Sequence, residues 1–567
     1  MKKIFLSILL LAGFAINTVV AQVPIRYKNE VFTNAQIQSV AGIKYATNLN
    51  WLIINQTDLA ANPGQVYNEL VNLKTLLATQ KTIPVKYYLP KSQTPGDSTI
   101  LKVTDLKMNA YMPDPSVDPN AKRPIIIYLH TGNFLPPGTN GSTLGDKADS
   151  LAVDICRGFA RRGFIALSID YRLGWNPLAL SVQERRGGIL NAVYRSIHDV
   201  KECIRVLKAL EAQGNPYKMD VSKIALFGEG TGGYVANAYS TLDKYAEMNL
   251  PKFINPLTSK SYIDTSKIGY IDGTRGALNL YANSTVSTNV QVTANIGGAL
   301  ADSSWMEIGD APMITMQAVR DPFAPFGYGT VVVPTTNEDV VEVDGANNSI
   351  MRAQRLGNNV VFAGIASADP YTKKARSLYN KTVDYIYPSP QNVIKIRSGE
   401  GMYPVLLPKA STILNNQASP WQWWDSTTAL AKTIVGPGKT IHSTSVESNP
   451  GMSKTKSRLY QDTIHGYITP RIALAMGLLT ASQLSFKEVE KITDVTIYPN
   501  PATNSISVGY KGMIKAITIT DLTGKVVYQT EVNDSSITLS SLNLRSGIYL
   551  LKVSADQGQA TEKLIIQ

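Results

Sequence analysis

Two hydrophobic periods alternate through most of the chain. Ile125-Ile126-Ile127-Tyr128-Leu129 is unbroken and follows Pro124, as expected of a parallel strand covered on both faces. Residues 149–162 read as a helix closed by Gly163 at C′. Phe164-Ile165-Ala166-Leu167-Ser168-Ile169 is the next strand. Val193, Ile197, Val200, Ile204 and Leu207 then recur every three or four positions, which marks one face of a helix stopped by Gly214. Lys223-Ile224-Ala225-Leu226-Phe227 returns to strand. Repeated βαβ units predict an α/β body with a doubly wound, mostly parallel sheet. The last eighty residues differ. Short alternating segments (506–508, 516–519, 526–528, 549–553) are separated by turns at 521–524, 533–534, 546–547 and 556–558, which predicts a small β-sandwich.

The amino end adds a compartment. Lys2 and Lys3 precede an apolar stretch from Ile4 to Ile16, and Val19-Val20-Ala21 supplies small residues for cleavage. Residues 1–21 therefore read as a secretory signal peptide. Asn17 and Thr18 interrupt the run before it reaches the roughly 20 apolar residues of a membrane span. No other segment of the mature chain spans a membrane. The 567 residues suit two to four domains, and 17% charged against 44% hydrophobic residues excludes a disordered chain or a coiled coil. Two Cys and four scattered His offer no metal-ligand spacing, so no metal and no cofactor is expected. The net charge of +12 comes without a basic block or nucleic-acid motif, and nucleic acid is not among the expected partners.

The tail resembles the type A C-terminal sorting domain of the Bacteroidetes type IX secretion system. Tyr498-Pro499-Asn500-Pro501, Asp521-Leu522-Thr523-Gly524-Lys525, Leu542 with Gly547-Ile548-Tyr549, and Lys563-Leu564-Ile565-Ile566 occur in that family's order. The resemblance implies engagement of the type IX machinery and release or attachment at the cell surface. The expected organisation is a signal peptide (1–21), an α/β body (22–485) with an amino-terminal extension, a linker (486–494) and a sorting domain (495–567).

Ligands in such sheets bind beyond the carboxyl ends of the strands. His130-Thr131-Gly132-Asn133-Phe134 follows the first strand, and Gly228-Glu229-Gly230-Thr231-Gly232-Gly233 follows the third. These are the places of an oxyanion-hole loop and a nucleophile elbow. Here the body resembles the α/β-hydrolase fold, in particular secreted carboxylesterase-like proteins of Bacteroidetes. Residues 106–113, Asp170-Tyr171-Arg172-Leu173-Gly174, Ala192-Val193-Tyr194-Arg195 and Asp321-Pro322-Phe323 carry the likeness over roughly residues 100–410.

The family elbow is G-x-S-x-G, and Gly230 stands at the serine position. Glycine adopts the strained turn without penalty but brings no attacking atom. Asp321 matches the acid position. The base position has two candidates: Met402, in the loop after a last strand at 392–396, and His465, before a final helix opened by Thr469-Pro470. Backbone N–H groups of Gly132, Asn133 and Thr231, beside His130, form the expected oxyanion or ligand cradle. Glu229 is expected to point sideways as a structural contact. Trp421-Gln422-Trp423-Trp424 lies within a long insertion at 398–458 and is expected to pin it to the core. Cys156 and Cys203 fall on successive helices of opposite faces and are expected as free thiols. Two functions follow: an exported pseudoenzyme binding a small molecule, glycan or protein, or an active carboxylesterase-like hydrolase that uses Asp321 and His465 in a non-standard mechanism.

Overall fold

The computed structural model describes residues 24–332, 339–365, 369–385, 393–412, 416–484, 492–522, 525–556 and 558–567. The expected signal peptide lies outside them, as does the linker up to residue 491. The chain divides into two compact units, Met1–Leu484 and Ser485–Gln567.

The body is built on one eight-stranded sheet. Its strands are β1 (Ile37–Leu49), β2 (Val103–Pro113), β3 (Arg123–Leu129), β4 (Ile165–Ile169), β5 (Met219–Glu229), β6 (Val292–Ile296), β7 (Met313–Ala318) and β8 (Met402–Val405). Their spatial order is β1-β2-β4-β3-β5-β6-β7-β8, the order of an α/β-hydrolase sheet. The pairings β1–β2 and β2–β4 are antiparallel, and all those from β4 to β8 are parallel. The unbroken hydrophobic runs serve two cores through the two-residue period of a strand. Ile125, Ile127 and Leu129 face one core, and Ile126 and Tyr128 face the other. Against the first face pack α2 (Val182–Ala212), α3 (Thr231–Thr241) and α4 (Ala346–Arg355). The second face carries α1 (Ser150–Arg161) and α5 (Lys454–Ala475). Cys156 and Cys203 are free and buried in different cores, and burial pushes both thiols well above the usual range.

Two local expectations change. Val393–Lys395 is not the last strand of the sheet: it pairs antiparallel with Thr382–Asp384 in a separate ribbon. Val393 and Lys395 are exposed there, which suits the alternating polarity of that segment, whereas Met402 to Val405 are all buried. Met402 to Val405, within the stretch 398–458 expected as an insertion, thus belong to the sheet. Thr469-Pro470 does not open a helix either. The helix begins after Ser453, whose hydroxyl accepts the Lys456 N–H at 3.1 Å, and Pro470 lies inside it.

The tail unit is a five-stranded antiparallel sheet curled around its own core. Its strands are β9 (Thr496–Tyr498), β10 (Ile506–Thr520), β11 (Val526–Leu539), β12 (Gly547–Ala555) and β13 (Gly558–Ile566). The long β10 pairs β9 with its first half and β12 with its second, while β11 runs along its other edge. Ile506, Val508, Ile514, Ile517, Ile519, Leu551, Val553 and Leu564 fill that core.

Candidate functional site

The elbow joins β5 to α3. Gly230 has φ 52° and ψ −117°, a backbone conformation that L side chains rarely adopt, and its N–H donates to the Ile296 carbonyl at 2.8 Å. Two further glycines permit the turn by close approach. A Cβ on Gly228 would lie 2.2 Å from the Gly232 carbonyl oxygen, and one on Gly232 would lie 2.1 Å from that of Leu129. A tight, positive-φ strand-to-helix turn is thus present, with no side chain at its apex.

The place of that side chain is taken. A Cβ built on Gly230 would lie 2.3 Å from Thr131 Oγ1 and 3.1 Å from Thr131 Cβ. The Thr131 hydroxyl, delivered by the loop after β3, fills the space that a serine would need. The loop is held by its neighbours. Tyr171 donates to the His130 carbonyl at 2.6 Å, and its ring stacks on His130 with centroids 4.5 Å apart. His130 Nδ1 lies 2.6 Å from the Thr131 carbonyl oxygen, so Nδ1 carries the proton and donates; burial lowers the pKa and keeps the ring neutral. Gly132, Asn133 and Phe134 all have positive φ. Of the three expected cradle donors, the Asn133 N–H is engaged, donating to Thr231 Oγ1 at 3.2 Å.

Asp321 follows β7 at the carboxyl edge and is buried. Its Oδ1 accepts the N–H groups of Phe323 at 2.8 Å and Ala324 at 3.0 Å. Burial pushes this carboxyl up to about 7, against the two N–H donors that favour the charged form. His465 is elsewhere. Its Nδ1 pairs with Thr469 Oγ1 at 3.1 Å, and its Nε2 lies against Gly158 of α1, where a Cβ would come within 2.1 Å. The ring sits edge-on to Phe159 at 4.9 Å. Because α1 runs back against the strands, Gly158 and Phe159 near its end lie toward the amino edge of the sheet. The structure thus does not bring His465 to Asp321 or to Gly230. Burial, with Arg162 and Arg161 nearby, lowers the His465 pKa far below the usual range.

Met402 does not occupy the base position either. It opens β8, in register with Thr315 in the first half of β7, and is buried in the first core. His198 is buried beside Tyr194, with both ring nitrogens unpartnered. His442 Nδ1 accepts the Trp424 indole N–H at 3.2 Å.

What covers the carboxyl edge is the insertion. Trp421 is fully buried and lies over Gly297, just past β6, where a Cβ would be 3.3 Å from the indole; its carbonyl accepts the Ser457 hydroxyl. Gln422 donates to Glu229 Oε1 at 2.6 Å, and the Tyr128 hydroxyl donates to Glu229 Oε2 at 2.6 Å. Burial raises the Glu229 carboxyl above its ordinary value, opposed by these two donors. Trp423 donates to Asp154 of α1 at 2.9 Å. Asp149, ahead of α1, accepts from the N–H groups of Gly145 and Asp146; burial and then the charge of Glu229 push it up to about 8. Among the described residues, no three His, Cys, Asp or Glu side chains gather as a metal site.

Of the residues expected at the site, the loop at 130–133 meets the turn at Gly230 and Thr231, while the contacts of Asp321 are with Phe323 and Ala324. Thr131 standing where glycines are common was the available signal. Its meaning needs the third dimension, in which Thr131 and Gly230 share one volume.

Residues 496–567 match the family described as the secretion system C-terminal sorting domain. The tail is a type IX sorting domain, which implies interaction with the secretion machinery and secretion or attachment at the cell surface. No curated protein matches the chain. Among solved structures, the chain is similar to esterase 2 of Thermogutta terrifontis, of the Planctomycetes. The form phosphonylated by cyclosarin shows 18% identity over 39% of this chain and 69% of that one, with a TM-score of 0.25. The propionate-bound form shows 18% identity over 39% and 70%, with a TM-score of 0.26. Among the described residues, no helix is long and apolar enough to cross a membrane.

Proposed function

We propose that this is a pseudoenzyme: a protein exported by a bacterium of the Bacteroidetes whose hydrolase-like body binds a ligand without cleaving it. On this reading, the signal peptide at 1–21 opens export and the tail completes it. The observation that carries the proposal is the exchange at the elbow, where Gly230 has no attacking atom and the Thr131 hydroxyl fills the vacated space. Asp321 and His465, the pair needed by an active alternative, hydrogen-bond to other partners. The adjacent imidazole of His130 has its Nδ1 turned to the Thr131 carbonyl rather than to the Thr131 hydroxyl.

The test is an ester hydrolysis assay on the mature full-length protein, with short-chain p-nitrophenyl esters and a fluorophosphonate probe. No turnover and no covalent labelling are expected. Turnover that disappears in Thr131→Ala or His465→Ala would overturn the proposal.

A further inference from the structure

The strand register of the tail sorts its outward side chains into two regions. Ile519, Leu551 and Leu564 point into the tail core, so by the two-residue period Thr520, Leu550, Lys563 and Ile565 point out. Val526, Thr520, Leu550 and Lys563 stand side by side across β11, β10, β12 and β13. Ile548 pairs with Ile565 beside them, and Leu522 lies between β10 and β11 at the same end. Leu522, Val526, Ile548 and Leu550 are 70%, 51%, 44% and 40% exposed. Further along the same face, the row of Gln529, Thr518, Lys552 and Thr561 is polar. One end of the outer face is thus apolar and the rest is not. The flanks of the apolar end are basic. Lys525 precedes Val526 and Lys563 ends its row. Among the described residues neither pairs with a carboxylate, the tail's ion pair being Lys511 with Asp494. Asp521 is turned to the Lys525 backbone N–H, which its Oδ1 accepts at 3.0 Å, and Glu562, opposite Leu551, lies on the other face.

We infer that the secretion machinery grips the protein at this end of the tail, through a protein surface that is apolar at its centre and acidic at its rim. The inference rests on export through the tail and names the surface that carries it. Aliphatic side chains on the water side of a sheet do nothing for its core, whereas covering them stabilises a complex. An acidic rim opposite Lys525 and Lys563 fixes orientation and speeds encounter. Leu522 and Lys525, Ile548, and Lys563 and Ile565 come from three of the stretches that identify the tail, and the register brings them together. A lipid surface fits less well. Residues 495–567 contain no Trp or Phe, the side chains that hold peripheral proteins in a bilayer interface.

The test is export of the full-length chain in a bacterium of the Bacteroidetes with an active type IX system. The readout is the fraction of protein outside the outer membrane, detected with an antiserum to the body. Ile548→Ser/Leu550→Ser should lower that fraction roughly tenfold and leave the protein in the periplasm. Lys525→Glu/Lys563→Glu should act in the same direction, whereas Gln529→Ala/Thr561→Ala, at the polar end, should export normally. Normal export of the serine pair overturns the surface, and so does an equal loss in the polar-end pair. Should the serine pair make the tail protease-sensitive, the lysine pair decides, and its normal export overturns the acidic-rimmed partner. Sedimentation with phosphatidylglycerol vesicles separates the other occupant: binding by the wild type that the serine pair abolishes would assign the patch to lipid and overturn the inference. Removal of residues 495–567 tests the reading beneath. Undiminished export of the shortened chain would overturn export through the tail, while its retention beside normal export of both patch pairs would overturn this inference alone.

Discussion

Restoring the missing serine is the most direct perturbation of the elbow. Gly230→Ser meets two obstacles of different origin. A side chain at φ 52° and ψ −117° costs about 1–3 kcal/mol in backbone strain. Its Cβ would also enter the space of Thr131 Oγ1, 2.3 Å away, and overpacking of that kind costs about 1–3 kcal/mol. The single variant should therefore lose roughly 2–6 kcal/mol. Thr131→Gly removes both close contacts, because the next nearest atom to the new Cβ is Thr131 Cα at 3.9 Å. The double variant should recover the overpacking part, a coupling of about 1–3 kcal/mol in a double-mutant cycle. Urea unfolding followed by tryptophan fluorescence measures this on the body alone, since all six tryptophans precede residue 425. Coupling below about 0.5 kcal/mol would mean that the two side chains do not compete for one volume, and the account of the elbow would fail. The double variant should still turn over no ester, because His465, the candidate base, hydrogen-bonds to Thr469 instead.

Three further outcomes are expected. Asp321 is held above its unfolded value of 3.8, at about 7, so the folded state binds its proton more tightly and stability falls as pH rises between those values. Asp321→Asn should flatten that slope and be the more stable form above pH 7, by as much as about 4 kcal/mol, in denaturant titrations at pH 5 and 8.5. Gln422→Ala strips one donor from the buried Glu229 and should cost about 1–3 kcal/mol, with faster proteolysis of the 416–424 segment as a second readout. Gly158→Ala should destabilise by driving a Cβ into His465 Nε2, and His465→Ala added to it should restore the melting temperature; a catalytic histidine would show no such rescue.

The sheet was legible because the strands are short, apolar and punctuated. Ile125 to Leu129 and Phe164 to Ile169 admit one reading, and the period-two division of their side chains between two cores follows from it. The tight turn between β5 and α3 was legible from the glycines at 228, 230 and 232 directly after an apolar strand. The region after β7 was not. Val393 to Lys395 and Met402 to Val405 are both short β-compatible segments, and only burial distinguishes the ribbon from the sheet strand. Thr469-Pro470 has the composition of a helix start, yet tertiary packing carries the helix through it from Ser453. His465 was a candidate by its position in the chain, and the deciding fact, its contact with Gly158 more than three hundred residues earlier, leaves no local trace.

The clasp formed by the insertion also orders events in folding. Gln422 reaches Glu229 across 193 residues of chain, and Trp423 reaches Asp154 across 269. Contacts of such sequence separation carry a large loop-closure entropy and form after the local βα units that they bridge. The carboxyl edge of the sheet is consequently sealed late, once the chain has been made past Trp424. Until then the nascent body exposes the edge that the finished protein covers with an indole, and a chaperone or protease acting at that stage meets an unsealed sheet.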